Sequence, residues 1–347
     1  MTLRIERYTG SADRWDDFVR AQTGWTNNHL YGWRTVMQKA MRHDAPYLVA
    51  IETDSHEIVG VLPLVRVKSA LFGHFLVSIP FLNYGGPIGR PDAVAALFEH
   101  AAEMAASDKA AVLELRNRYD AGAVPGYDVS HRKITVLLDS TGGSDAVWKR
   151  LSSKLRSQIR RPQKDGVTVR FGRDQVDAFY AVFAQHMRDL GTPVMPRSFF
   201  RKVAEEFPND ALFAVAYHDE IPIACGAGFT WGSGDNREFE ITWASALRDF
   251  NRMSPNMLVY WELIKRVADS GVATFNFGRC TPGGNTHKFK TQWGTTDEPL
   301  WWYERRSAGA ATPSEGHGAA ARGPEIWKRL PLSVANLIGP RIIRFIP

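Results

Sequence analysis

Residues 287–294 read HKFKTQWG, directly downstream of the apolar run ATFNFGR. His287, Lys288 and Lys290 bring positive charge, Phe289 separates the two lysines, and Trp293 follows. Cations and aromatics set just past a buried strand suit an anionic ligand in a sheltered site, although a surface lysine beside a core phenylalanine gives the same pattern. Arg116 and Arg118 end another short apolar run, AAVLELRNR, and Arg279 ends VATFNFGRC, the run just upstream of HKFKTQWG. Strand ends are common ligand positions, and arginine forks fit carboxylate or phosphate; salt bridges at the strand ends are the plainer alternative. Tyr84 sits in FLNYGGP, where glycines let backbone approach a ligand closely, although a plain turn explains the stretch as well. Trp33, in HLYGWRTVM, is an aromatic candidate for substrate contact or for the core. Lys149, Arg150, Lys154, Arg156, Arg160, Arg161 and Lys164 follow one another with no acidic residue among them. Such a run is either a solvated helix face or a phosphate-binding face, with Lys154, Arg156, Arg160 and Arg161 as candidate phosphate contacts.

The motifs that would mark other chemistries are missing. There is no GxGxxG after a strand, no Walker loop, no HExxH and no GxSxG. The two cysteines, Cys225 and Cys280, lie in separate apolar stretches, which points to buried thiols in a reducing compartment. Without a CxxC pair, and with no metal spacing among the ten histidines, no metal site is expected. The net charge of +6, from 43 basic and 37 acidic residues, fits an anionic substrate, RNA or a membrane surface and selects none of them. The N-terminus lacks an apolar signal core and no run of about 18 apolar residues occurs, so a cytoplasmic protein is expected.

These candidates hang on a pattern that occurs twice. The stretch YLVAIETDSHEIVGVLPLVRV (47–67) reads as strand, turn and strand, followed by a helix over 92–107 and a strand over 110–118. ALFAVAYHDEIPIACGAGFTW (211–231) repeats the hairpin, followed by a helix over 254–271 and a strand over 272–280. LELRNR and FNFGRC are offset by 162 residues. The repetition predicts a duplicated α/β fold with mixed sheets and flanking helices. In the second helix, Ser254 is the expected N-cap, Pro255 the first helical residue, and Gly271 the terminator. A basic helix is expected from 145, ended or kinked at Pro162. The boundaries read as one domain over 1–144, a second over 145–306, a flexible linker over 307–325 and an apolar, basic tail over 326–347. That tail either packs on the body or lies on an anionic bilayer.

Taken together, SKLRSQIRRPQKDGVTVR, LGTPVMPRSFF, PNMLVYWELIKRVADSGVATFNFGR and HKFKTQWG resemble the FemABX family. FLNYGGP, LELRNR and PLSVANLIGPRIIR extend the resemblance to the branch linked to PEP-CTERM/exosortase systems of exopolysaccharide-producing bacteria. It covers nearly the whole chain. It implies two tandem GNAT-like acyltransferase domains, and transfer of an acyl or aminoacyl group to an amine of a cell-envelope or exopolysaccharide-related acceptor, saccharide- or lipid-linked. No cofactor is implied beyond an acyl donor acting as cosubstrate: charged tRNA, acyl carrier protein or acyl-CoA. In the Fem-type pattern a Phe-Lys pair matches Phe289 and Lys290, and the lysine is implicated in stabilising the transition state. One such donor near a developing oxyanion lowers the barrier by about 3–4 kcal/mol. Glu240 in EFEITW and Glu262 are candidate bases, Glu262 being equally suited to pair with Lys265 or Arg266. By analogy, the loop around Thr192 and Pro193 covers a groove, and Arg252 and Asn256 contact substrate. The place where a CoA-binding member carries a glycine-rich loop reads LRDFNRMSPNM, without glycine and with a proline that lacks an N–H, which weakens the CoA reading. An acyl-CoA or carrier-protein acetyltransferase, and a non-catalytic GNAT pair in polysaccharide export, are the alternatives. Contact with tRNA and peripheral contact with an anionic inner membrane are the further partners expected.

Overall fold

The computed structural model describes residues 2–69, 73–307 and 319–346, which divide into two units. The first comprises the described residues of Met1–Lys133, Pro299–Glu315 and Arg344–Pro347; the second those of Ile134–Glu298 and Gly316–Ile343.

The first unit holds strands β1 (Leu3–Arg7), β2 (Leu48–Glu52), β3 (Ile58–Leu62), β4 (Val65–Ser69), β5 (Gly73–Val77), β6 (Ile88–Gly89), β7 (Val112–Asn117) and β8 (Asp128–Ser130). Its helices are α1 (Ala12–Ala21), α2 (Gly32–Lys39) and α3 (Pro91–Ser107). β1-β2-β3-β6 form one sheet. Apolar residues on one side of α3, among them Ala93, Leu97, Phe98 and Ala101, pack with Leu48, Ala50 and Leu62 of that sheet. Gly60 opposes Gly89 in the β3–β6 pairing, and a Cβ at Gly60 would come within 2.9 Å of the Cβ of Ala93. The absence of a side chain there lets α3 lie close on the sheet.

The second unit holds β9 (Ile134–Asp139), β10 (Thr168–Phe171), β11 (Ala211–His218), β12 (Ile221–Trp231), β13 (Glu238–Ala246), β14 (Thr274–Cys280) and β15 (Thr296–Pro299). They form one sheet in the order β10-β11-β12-β13-β14-β9-β15. Its helices are α4 (Gly143–Arg150), α5 (Ser153–Lys164), α6 (Val176–Leu190), α7 (Arg197–Glu206), α8 (Pro255–Asp269), α9 (Asn285–Thr291), α10 (Ala319–Lys328) and α11 (Leu332–Ile343). Leu258, Leu263, Ile264 and Val267 of α8 meet Phe239, Ile241, Phe275 and Phe277 of the sheet in the core.

Both copies of the hairpin–helix–strand pattern are present, with one difference. In the second unit β13 links the hairpin to the closing strand in a single sheet. In the first unit β7 lies in a separate sheet, β4-β5-β7-β16-β8, whose remaining strand is β16 (Trp301–Arg306). The connecting segment is interrupted by Gly85 and Gly89, at φ 147° and 141°, and leaves only the two-residue β6 on the first sheet.

Several boundaries differ from those expected. A cut at 144/145 severs β9 from the sheet in which it pairs β14, and ending the second domain at 306 severs β16 from its partner β7. Both are short strands whose partners are distant in sequence, so local pattern does not assign them. The expected basic helix is two helices. The chain breaks at Leu151, and the Ser152 side chain accepts from the Leu155 N–H to start α5. Pro162 sits in the last turn of α5 and is buried with Leu155 and Ile159. Ser254 precedes α8 but at φ 56° and without a side-chain capping bond.

The expected linker is helical from Ala319; residues 308–318 lie outside the described residues. The tail packs on α6: Trp327 and Ala335 are buried, a Cβ at Gly191 would lie 2.7–2.9 Å from Pro324, and Arg188 donates to the Leu330 carbonyl at 3.1 Å. Its outer side leaves Ile326 63% and Leu337 62% exposed, with Val334 exposed between them in sequence. Among the described residues, no helix is long and apolar enough to cross a membrane.

Candidate active site

β13 and β14 run parallel, and they pair only at Glu238↔Thr274, Phe239↔Phe275 and Glu240↔Asn276. β13 then continues to Ala246 and β14 to Cys280 without pairing to each other. Their carboxyl ends therefore part, as happens where ligands enter an open α/β sheet. Beyond the parting, β14 departs from its register with β9 between Asn276 and Arg279, and Gly278 has φ 70°.

HKFKTQWG forms α9 and the turn after it. Phe289 packs at 5.0 Å from the Tyr260 ring, and Trp293 is buried near Phe277 at 5.8 Å. These aromatics anchor α9 to the core. Lys290 points inward and is only 4% exposed. Its Nζ donates to the Gly278 carbonyl at 2.7 Å and to the Arg279 carbonyl at 2.9 Å. Among the described residues no acceptor takes its third N–H. Burial pushes the lysine down to about 8, Cys280 and Glu240 favour its charged form, and the Arg279 charge opposes it.

Three sequence candidates thus converge: Lys290, Arg279 and the buried carboxylate Glu240. Glu262 does not join them. It lies on α8, where burial raises its carboxyl and Lys265 is its charged neighbour. Arg252 is exposed in a 3-10 turn before α8, and Asn256 is half-buried in the first turn of that helix. Lys154, Arg160 and Arg161 are exposed on α5 and Arg156 is half-buried there; Arg160 lies over the Trp148 ring at 5.2 Å.

Other candidates serve the fold. Thr192 donates its N–H to the Met187 carbonyl at 2.9 Å, and Gly191 at φ 82° ends α6. That loop is covered by the tail instead of covering a groove. Trp33 is fully buried and its Nε1–H donates to the carbonyl and the side-chain oxygen of Asn27. Tyr84 is also fully buried, with Arg118 over its ring at 5.5 Å. Arg116, 4% exposed, pairs with Glu114 at 2.6 Å, donates to the Leu82 carbonyl at 3.0 Å and lies over the Trp302 ring at 4.8 Å. Its guanidinium clamps the FLNYGGP loop to β7. Arg116→Ala strands a largely buried carboxylate, and the loss of unfolding free energy in urea is expected to reach about 3 kcal/mol.

The sequence reading missed Asn276. Its Oδ1 accepts from Thr135 Oγ1 and from the Gly278 N–H, each at 2.7 Å, and its Nδ2 donates to Glu238 at 2.6 Å. An asparagine inside an apolar strand, two residues before a glycine, was the available signal. Asn117 was missed too. Its carboxamide is buried without a hydrogen-bond partner, and a Cβ at Gly86 would lie 1.9 Å from its Oδ1. Among the described residues no group of three or more His, Cys, Asp or Glu side chains is placed to hold a metal ion.

Residues 149–291 match the family model described as acetyltransferase (GNAT) domain. No curated protein matches the chain by sequence. Solved structures do match it in fold. FemX superposes with a TM-score of 0.66 at 14% identity, over 88% of this chain and 98% of FemX. L-PGS from Bacillus licheniformis gives 0.57 at 12% identity, over 96% and 97% of the two chains. A tandem GNAT protein from the clavulanic acid biosynthesis pathway gives 0.55 at 14% identity, over 90% and 100%. Over 149–291 the chain matches the GNAT acetyltransferase domain, and its mixed α/β, tandem GNAT-like fold is similar to the folds of FemX and of the tandem GNAT protein.

Proposed function

We propose that this protein is an N-acyl or aminoacyl transferase of the FemABX type, with Lys290 as the cation that stabilises the reaction's oxyanion. The observation that carries the reading is the Lys290 ammonium, buried where β13 and β14 part and held by two backbone carbonyls with one N–H left over. An acceptor amine attacks the carbonyl carbon of an ester or thioester donor, and the C=O electron pair moves onto oxygen. The third Nζ–H of Lys290 meets that charge in a site already shielded from water. Collapse re-forms the carbonyl and expels the alkoxide or thiolate, while the nitrogen loses its proton to Glu240 or to the leaving group.

For the donor, charged tRNA or a similar carrier is favoured over acyl-CoA. The turn before α8 would have to cradle the CoA pyrophosphate. There, Pro255 has no N–H and the Met257 N–H is taken by the Ser254 carbonyl at 3.0 Å. The acceptor proposed is an amine on an envelope or exopolysaccharide precursor. The test is to present acyl-CoA, acylated carrier protein and charged tRNA in parallel with amine acceptors. Transfer from a charged carrier supports the reading, transfer from acyl-CoA alone replaces the donor, and binding without transfer from any donor favours a non-catalytic protein.

The tail supports work at an anionic membrane face. Ile326 and Arg329 lie three residues apart on and just after α10, and Val334, Leu337 and Arg341 recur on α11 at a helical period, all exposed. Ile326→Asp with Leu337→Asp should abolish co-sedimentation with phosphatidylglycerol vesicles while leaving the fold intact. Undiminished co-sedimentation of the folded double variant would remove the membrane from the account.

A further inference from the structure

The Lys290 ammonium is held by two carbonyls from consecutive residues, Gly278 and Arg279. In a regular strand, consecutive carbonyls point to opposite edges, so one side chain could not collect both. The strand is not regular here. Its register with β9 shifts between Asn276 and Arg279, and Gly278 takes a left-handed φ of 70°. β13 has already turned away, so it offers no ladder partner beyond Asn276. The Gly278 N–H bonds instead to Oδ1 of Asn276, two residues back, at 2.7 Å. The same oxygen accepts from Thr135 Oγ1 on β9 at 2.7 Å, and the amide nitrogen donates to Glu238 on β13 at 2.6 Å. One fully buried carboxamide therefore ties β9, β13 and the bulge of β14 together.

We propose that Asn276 is the positioning residue for Lys290: its side chain builds the β14 bulge whose two carbonyls hold the ammonium. Its catalytic consequence rests on the reading of Lys290 given above; the positioning role does not. Asn276 itself is two bonds removed from the ammonium and touches no reacting atom. The charged and titratable groups that act on the Lys290 ammonium are Glu240 on β13, and Cys280 and Arg279 on β14.

The test follows Lys290 itself by NMR in protein carrying 13Cε-lysine, with its signal assigned by its disappearance in Lys290→Ala. In Asn276→Ala the titration midpoint should rise by at least one pH unit from about 8, because the freed ammonium moves toward solvent. Turnover should fall about tenfold or more with little change in KM. A folded Asn276→Ala whose Lys290 midpoint stays put overturns the proposal, whatever Lys290→Ala does to turnover. Conversely, a shifted midpoint with full turnover in Lys290→Ala upholds the positioning role and removes the catalytic reading. If Asn276→Ala does not fold, Thr135→Val decides: it removes one of the two bonds to Oδ1 at nearly constant volume. A midpoint that rises supports the proposal, and one that does not move overturns it.

Discussion

Lys290→Ala is expected to lower transfer turnover by about 10²–10³-fold, the cost of removing one preorganised donor from an oxyanion. The fold should survive. Burial pushes the lysine well below its ordinary value, which means that its charge is less stable in the folded protein than in the unfolded chain. Removing it takes away a charge the core tolerates poorly, not one that holds the core together. Circular dichroism and donor affinity should therefore match the unsubstituted protein while steady-state turnover falls. Unaltered turnover would remove Lys290 from the chemistry.

The second large effect is on pH dependence. Lys290 titrates near 8 in the folded protein. Transfer that depends on its ammonium is full below that pH and declines as pH rises through about 8, tenfold for each further unit. Lys290→Arg retains a charge throughout this range. Plotting the ratio of the two rates cancels ionisation of the acceptor amine. The ratio of unsubstituted to Arg variant should be flat up to about pH 7.5 and fall above 8; a ratio flat to pH 10 would show that the neutral amine is the working form. Stability moves the opposite way. Between about 8 and the unperturbed 10.5 the unfolded chain binds more protons than the folded one, so this lysine's contribution makes unfolding harder as pH rises.

The sequence exposed more of the frame than of the site. The apolar period of α8, its Pro255 start and the Gly271 stop could all be read locally, because each is a property of neighbouring residues. The duplicated hairpin and closing strand were visible for the same reason. β9 and β16 were assigned to the wrong halves because what places them is pairing with strands over a hundred residues away. HKFKTQWG singled out Lys290, but nothing in it shows the lysine's surroundings. That Lys290 faces inward depends on Phe289 and Trp293 seating α9 against Tyr260 and Phe277, and on a bulge in a strand that reads as regular. Arg116, Tyr84, Trp33 and Thr192 became candidates through residue type, local setting or family analogy. Tertiary contacts assign them to the core and to loop closure, since an arginine that clamps a loop and one that grips a ligand look alike in a string of letters.

The claim at the centre is that Lys290 meets charge that exists only during transfer. Its most direct test is binding of a phosphonate mimic of the tetrahedral intermediate, built on whichever donor supports transfer. Lys290→Ala should weaken the phosphonate by about 10²-fold or more while leaving the affinity for the donor itself unchanged. Equal weakening of both, or of neither, would contradict the account.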